Sequence, residues 1–299
     1  MEAVAVNPVF WKGRQVFLTG HTGFKGAWLA LWLRQVGADV TAFSLAPPTQ
    51  PSLFEAAQVA RGISSLHGDI RDYDAPAKAL RDSGASIVFH LAAQATVADG
   101  YRFARDTFAI NVTGTLTLLD AIRTCSAVKV AIFVTSDKCY APATDGKALA
   151  EGAAMGGRDP YGASKSCAEF AVQSWRESFF ADPGAPRLAT ARAGNVIGGG
   201  DWGAHRLLPD IARALAAGQV MRLRMPDAIR PWQHVLDALR SYLMLRLDAS
   251  RAGAELGWQP RWKLGTALRR TIEWYRAWAR QRGMRAETLA QLDDYLATP

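Results

Sequence analysis

Tyr161 and Lys165 stand four residues apart in Tyr161-Gly162-Ala163-Ser164-Lys165, a spacing that puts both on one face of a helix. An ammonium beside a phenol favours the phenolate and draws the tyrosine pKa toward working pH. Such a tyrosine can take a proton from a hydroxyl while hydride leaves the same carbon. Upstream, Thr135-Ser136-Asp137-Lys138-Cys139-Tyr140 follows an apolar run. Thr135 could hydrogen-bond the reacting hydroxyl, and Asp137 with Lys138 would bring an acid/base pair to the neighbouring carbons. Each segment also has a bland reading, a surface pair for one and a solvated loop for the other. The surrounding elements decide between them.

Gln15–Thr19 reads as a strand running straight into Gly20-His21-Thr22-Gly23-Phe24-Lys25-Gly26, with helical spacing over Lys25–Val36. A G-x-x-G-x-x-G turn between strand and helix is a dinucleotide cradle. Gly20 permits the tight turn, Gly23 lets backbone approach a pyrophosphate, and Gly26 allows helix and strand to pack closely. The free N–H groups and dipole of the helix N-terminus then favour the anion. The nicotinamide of such a cofactor is the natural acceptor for the hydride that leaves the carbon whose hydroxyl Tyr161 deprotonates. The second strand ends at Phe43-Ser44-Leu45 without an acid for a ribose 2′-hydroxyl, and no Arg or Lys follows until Arg61. These residues therefore leave NAD and NADP both open. Asp69-Ile70 fall where an adenine edge would be met.

Further short apolar runs at Asp39–Ser44, Ser86–Leu91, Val128–Thr135 and Arg187–Ala193 are continuous enough to be strands covered on both faces. Helical spacing recurs over Asp74–Asp82, Arg105–Cys125 and Pro160–Ser178, the last with Asp159 placed to cap it and Pro160 in its first turn. Strand–helix alternation of this kind predicts an α/β, Rossmann-type doubly wound parallel sheet. After Gly194 the rhythm changes to a five-glycine loop through Gly203. Helices follow over Leu207–Ala217, Leu236–Leu247 and Leu264–Arg282, with an apolar stretch at Val220–Met225. Trp258, Trp262, Trp274, Tyr275 and Trp278 sit among arginines there and read as packing for a smaller C-terminal substrate-binding lobe rather than as a nucleic-acid stacking surface. The expected division is residues 1–193 plus about 230–247 for the nucleotide-binding domain, and about 194–229 plus 248–299 for the second lobe.

The 299 residues carry 35 Lys+Arg against 27 Asp+Glu, a net charge of +8, with a mean hydropathy of −0.04. A chain that is 49% hydrophobic can bury a sizeable core and is not a disordered or fibrous class. The basic residues are scattered, which argues against nucleic acid and suits a substrate carrying phosphates. No secretory signal or membrane-spanning run is read, and three widely spaced cysteines predict neither disulfides nor a metal site. A reduced, cytoplasmic protein is expected.

The glycine turn, Leu91-Ala92-Ala93-Gln94, Asn111 and the Thr135/Tyr161/Lys165 set resemble the extended short-chain dehydrogenase/reductase superfamily. The finer pattern is similar to its CDP-glucose 4,6-dehydratase branch, through His21–Gly26, Thr135–Tyr140, Asp159–Lys165, Arg192–Trp202 and Arg230-Pro231-Trp232-Gln233-His234. Most related dehydratases carry Asp-Glu where this chain has Asp137-Lys138, and Lys points to the CDP-sugar branch.

The resemblance implies tightly held NAD, contacted by Gly20, Thr22, Gly23, Phe24, Lys25, Gly26, Asp69, Ile70, Leu91, Ala92, Ala93, Tyr161 and Lys165. It implies oxidation at sugar carbon 4 by Tyr161 with Lys165 and Thr135, loss of water across carbons 5 and 6 with Asp137 as acid, and hydride return to carbon 6. The base for carbon 5 stays open, Lys138 being one candidate. Asn195, Arg230 and Arg206 are expected at the pyrophosphate of the CDP-glucose substrate, and Gln94 at the hexose. His90 and His234 read as structural. A 4-epimerase would share Tyr161 and Lys165 but has no need of Asp137-Lys138, and a catalytically silent NAD-binding protein is the alternative outside enzymes. The helices Arg105–Cys125 and Pro160–Ser178 resemble a paired homodimer face. Relatives also carry some sixty further residues where Leu247 here abuts Asp248.

Overall fold

A computed structural model describes residues 7–142, 149–221, 223, 226–244 and 259–298. Its centre is a six-stranded parallel sheet in the order β3-β2-β1-β4-β5-β6. The strands are β1 (Gln15–Thr19), β2 (Asp39–Ser44), β3 (Ser64–His67), β4 (Ile87–His90), β5 (Val130–Val134) and β6 (Arg187–Ala191). This is the doubly wound order, with its switch point between β1 and β4. Both faces are covered, which is why the central strands read as unbroken apolar runs. Five of the six strands stand where the apolar runs predict them. The sixth, β3, was not anticipated: Ser64-Ser65-Leu66-His67 is an exposed edge, so no burial pattern marks it.

Helices fill both sides: α1 (Pro8–Trp11), α2 (Phe24–Gln35), α3 (Leu53–Ala56), α4 (Asp74–Ser83), α5 (Val97–Arg102), α6 (Ala104–Phe108), α7 (Gly114–Arg123) and α8 (Pro160–Phe179). The helix expected over Arg105–Cys125 is α6 and α7 joined by a π-helical turn at Ala109–Thr113. Thr115 Oγ1 donates to the Asn111 carbonyl at 2.7 Å there, and the Asn111 side chain turns inward. The start of α8 follows the sequence signals: Asp159 Oδ1 accepts from the Gly162 N–H at 3.0 Å, and Pro160 opens the helix.

Beyond β6 come β7 (Asn195–Ile197), α9 (Leu207–Ala216), β8 (Trp232–His234), α10 (Val235–Met244), α11 (Leu264–Ala279) and α12 (Met284–Ala297). β7 and β8 form a separate two-stranded parallel pair. The α12 helix was not foreseen because Thr288 and Gln291 share its buried face with Met284, Leu292 and Tyr295, which weakens the apolar period. The C-terminal aromatics are packing residues. Trp262, Trp274 and Tyr295 belong to the same continuous core as Trp28 and Trp32 of α2. Trp28 Nε1 donates to the Gly199 carbonyl at 2.9 Å, and the Trp274 indole N–H to Thr288 Oγ1 at 3.0 Å. Trp258, the Leu247/Asp248 junction and Arg222, Arg224 and Met225 of the Val220–Met225 stretch lie outside the described residues.

Candidate active site

In a parallel sheet every strand ends on the same edge, and the crevice opens where the chain order reverses. Here that edge brings together the glycine turn after β1, residues 91–96 after β4, residues 135–139 after β5, and the first turns of α2 and α8. The glycine turn is held against β4. Thr19 Oγ1 accepts from the Leu91 and Ala92 N–H groups, both at 3.2 Å, and pairs with His90 Nδ1 at 2.7 Å. Gly20 has φ 81°, and a Cβ there would lie 2.6 Å from Ala92 N; one on Gly26 would lie 2.1 Å from the Gly20 carbonyl oxygen. Close backbone approach therefore dictates both glycines.

This turn fits a dinucleotide. Gly23 caps α2 with no side-chain hydrogen bond, and α2 has no acid in its first turn. A Cβ on Gly23 would meet only the Gly20 carbonyl, at 3.5 Å, so the space above the helix N-terminus is bounded by backbone rather than side chains. Residues of the glycine turn would hold the pyrophosphate of NAD there. Thr22 turns toward β2, its Oγ1 within 2.8 Å of Ser44 Oγ and donating to the Leu45 carbonyl at 2.9 Å. Asp69 lies beyond β3 with both carboxylate oxygens engaged by Arg71, whose bonds hold it below the usual carboxylate range. Ile70 is buried, packed so closely on Gly114 that a Cβ there would lie 2.7 Å away.

The catalytic face is built by β5 and α8. Lys165 is buried, and its Nζ donates to the Val134 carbonyl at 3.2 Å. Burial lowers its pKa to about 7, with the nearby Lys25 lowering it further and Glu169 opposing. Tyr161 is half-buried and hydrogen-bonded to the Ser136 side chain; burial pushes its phenol up, against the Ser136 bond and Arg206. The groups that lower the phenol here are Ser136 and Arg206 rather than the expected Lys165, whose ammonium donates to the Val134 carbonyl.

The structure also corrects the assignment of Thr135. Its hydroxyl donates to Glu169 Oε1 on α8, within the buried core, and makes a long contact to the Ala191 carbonyl. Glu169 is further bonded by Thr190 at 2.8 Å and by Arg192 at 2.9 and 3.0 Å. Burial pushes that carboxyl up, but the Arg192 and Thr135 bonds outweigh it and hold Glu169 low. The hydroxyl that faces Tyr161 belongs to Ser136. Strand alternation carries the signal: adjacent residues at a strand end point to opposite faces, so only one of the pair can face the crevice.

Ser136 also donates to Asp137 Oδ1 at 3.1 Å, linking acid and phenol through one hydroxyl. Lys138, in contrast, is exposed on the following 3₁₀ turn (Asp137–Cys139), because the turn rotates it away from its neighbour. Arg206 caps α9 and binds Asp201 Oδ1 at 2.9 Å and the Ala95 carbonyl at 3.4 Å, reaching the loop after β4. Gln94 sits in that loop with its side-chain amide donating to Thr96 and its main chain clasped by Asn111. Asn195 starts β7, paired with Trp232, while Arg230 is exposed and bonded to the neighbouring Ile229 carbonyl. His90 and His234 are buried; burial lowers each to about 3, and both serve packing.

Residues 16–255 match the NAD dependent epimerase/dehydratase family. The chain belongs to that family. Among relatives, a CDP-glucose 4,6-dehydratase of Salmonella typhimurium is 36% identical, with 98% of this chain and 99% of that protein aligned. That alignment runs over 354 positions against the 299 residues here, so at least 55 positions of the relative have no counterpart (354 less 299). The human GDP-mannose 4,6 dehydratase is 30% identical over 79% of this chain and 66% of its own length. The dTDP-glucose 4,6-dehydratase DesIV of Streptomyces venezuelae, a double mutant solved with NAD and DAU bound, superposes with a TM-score of 0.78 at 19% identity, covering 90% of this chain and 99% of that one. The UDP-glucose-4-epimerase of Stenotrophomonas maltophila gives a TM-score of 0.76 at 22% identity over 90% of this chain and 99% of that one. Members of the epimerase/dehydratase family are NAD dependent, as the family resemblance implies; the residues around the glycine turn left NAD and NADP open.

Proposed function

We propose that this chain converts CDP-glucose to CDP-4-keto-6-deoxyglucose with NAD as a recycled cofactor. One observation carries the reading: Asp137 is linked through Ser136 to Tyr161 at the mouth of the crevice. An epimerase needs the tyrosine alone, whereas a dehydratase needs an acid beside it for the departing hydroxyl. The 36% identity over nearly the full length of a CDP-glucose 4,6-dehydratase supports the same substrate.

NAD held by the residues of the glycine turn would supply the hydride acceptor for carbon 4 and the hydride donor for carbon 6. Tyr161 takes the proton of the carbon 4 hydroxyl, with Ser136 orienting that oxygen and Lys165 close behind on the same helix face. Asp137 protonates the hydroxyl that leaves carbon 6. Arg206, braced by Asp201, faces the crevice from the second lobe and suits a diphosphate oxygen, with Asn195 and Arg230 assigned to the same diphosphate and Gln94 to the hexose. The missing alignment positions support a shortened chain, and we assign the loss to the second lobe at Leu247/Asp248.

Incubation with CDP-glucose should yield the alkali-induced absorbance of a 4-keto-6-deoxy sugar, and Asp137→Asn should cut that yield roughly 10²-fold or more. Silence toward CDP-, dTDP- and GDP-sugars alike would sink the reading, and an undiminished Asp137→Asn variant would favour an epimerase.

The proposal extends to a cytoplasmic homodimer. Cys125, Cys139 and Cys167 are free thiols. The packed helices α5, α6 and α8 and the residue joining the first two expose Phe103, Phe108 and Phe170 at 49%, 37% and 53%, the kind of aromatic surface a second copy covers.

A further inference from the structure

Arg192 follows β6, and the main chain on either side of it is laid along the turn after β5. The Ala191 carbonyl accepts from the Thr135 N–H at 2.9 Å, and the Ala193 carbonyl from the Asp137 N–H at 3.2 Å. The Arg192 side chain is 20% exposed and ties together separate parts of the chain. Its Nε and Nη2 donate to the two oxygens of buried Glu169 at 3.0 and 2.9 Å, and its Nη1 donates to the Glu151 carbonyl at 2.8 Å. Nη2 also meets Met155 Sδ at 3.6 Å, and the guanidinium carbon lies 4.8 Å from the centre of the Tyr140 ring.

The stretch that Arg192 grips is built into the active site from both ends. Residues 154–156 run antiparallel to residues 139–141: Tyr140 pairs with Met155, the Ala141 N–H donates to the Ala154 carbonyl at 2.8 Å, and the Gly156 N–H donates to the Cys139 carbonyl at 2.9 Å. Next along, Ser166 Oγ of α8 accepts from the Gly157 N–H at 3.3 Å and donates to the Cys139 carbonyl at 2.8 Å. A Cβ on Gly157 would lie 2.1 Å from the Gly162 carbonyl carbon, and one on Gly162 would lie 2.7 Å from the Lys138 carbonyl oxygen. The turn carrying Ser136 and Asp137, residues 154–157 and the first turn of α8 carrying Tyr161 are therefore packed backbone to backbone. Arg192 fastens that unit to Glu169.

We propose that Arg192 is a positioning residue for the dehydration, holding the Ser136–Asp137 turn against Tyr161 through Glu169 on one side and Glu151, Met155 and Tyr140 on the other. The assignment rests on the dehydratase reading above. With Glu169 held in place, Thr135 stays turned to the core and its neighbour Ser136 faces Tyr161. A planar fork of five donors lets one side chain take a carboxylate bidentately and a carbonyl beside it, which a lysine ammonium cannot match. None of the hydrogen-bond partners of the Arg192 side chain among the described residues belongs to the glycine turn or the second lobe. Its loss therefore falls on the chemical steps rather than on binding.

The test compares wild type, Arg192→Lys and the double variant Glu169→Gln/Arg192→Gln on CDP-glucose, with kcat and KM taken per folded fraction from a thermal melt. Arg192→Lys keeps a cation on Glu169, and the double variant removes the buried charges altogether. Each can therefore restore stability without restoring the grip on Glu151 and Met155. Both should keep KM within about threefold of wild type and lose kcat roughly 10²-fold, the cost of a misplacement near 1 Å between reacting groups. If one variant does not fold, the other carries the comparison. Turnover that returns together with stability overturns the assignment, because neutralising Glu169 is then all that Arg192 does. A KM raised about tenfold with kcat unchanged also overturns it, because Arg192 then serves binding. So does failure of both variants to fold, which leaves Arg192 a role in the fold alone. A wild type silent toward CDP-glucose overturns the dehydratase reading and the assignment with it, whereas an active wild type with unimpaired variants overturns the assignment alone.

Discussion

At the residue scale, two adjacent hydroxyls after β5 have opposite jobs. Thr135 points into the core and donates to Glu169, which also ties down Thr190 and Arg192; Ser136 points to Tyr161 and Asp137. Thr135→Val should lower stability by about 1–3 kcal/mol in a denaturant melt, since the buried Glu169 loses one of its donors. Ser136→Ala should reduce turnover roughly 10²-fold, as loss of a hydrogen bond to a reacting oxygen does, beyond the cost of about 0.5–2 kcal/mol for the Lys138 N–H that its hydroxyl caps. The reverse pattern would return the role to Thr135. Lys165 gives a prediction in pH. Its folded value is about 7 against an ordinary 10.5, so between those values the unfolded chain binds more protons and stability rises with pH. Lys165→Met should remove that slope and raise the urea midpoint at pH 7 while abolishing activity, because the desolvated charge opposes folding there. A variant that melts earlier at pH 7 contradicts the burial account.

Among the elements, the strand–turn–helix unit at β1 and α2 separates folding from binding within seven residues. A Cβ at Gly26 collides with the Gly20 carbonyl at 2.1 Å, whereas one at Gly23 meets the same oxygen at an ordinary 3.5 Å. Gly26→Ala should therefore forfeit folded protein outright. Gly23→Ala should melt like the wild type yet bind NAD at least about tenfold more weakly in a calorimetric titration, since the methyl occupies the approach to the helix N-terminus. Equal melting temperatures for the two variants would show that the close approach is not what the sheet depends on. The glycine spacing was legible in the sequence because the strand before it and the helix after it share its apolar pattern. The π-helical turn at Ala109–Thr113 was not legible, since one extra residue per turn changes no residue type, yet it aims Asn111 at Gln94 and Ser164.

For the whole molecule, the C-terminal helices are continuous with the nucleotide-binding core rather than set apart from it. Trp32 and Tyr295 meet edge to face at 5.6 Å, and Trp262 lies 5.1 Å from the same tyrosine. Tyr295 in turn donates to the buried Asp237 of α10 at 2.6 Å. Phe103, Phe108 and Phe170 stay exposed on adjoining elements, and that surface is the one proposed for a partner. Light scattering at micromolar concentration should give twice the chain mass, and Phe170→Glu should halve it. A wild-type monomer at that concentration removes the homodimer from the proposal.

The sequence by itself determined the parallel sheet, the glycine turn and the Tyr161/Lys165 pair, because each depends on local spacing that a strand or helix converts directly into a shared face. It also placed Asp137 beside them, since the end of β5 is a position along the chain. Only the tertiary structure decided which neighbouring hydroxyl faces Tyr161, that Lys138 turns outward, and that Arg206 reaches the Ala95 carbonyl after β4. Those facts depend on how the end of β4, the end of β5 and the starts of α8 and α9 converge, and residues that distant in the chain leave no mark of their approach in its local pattern.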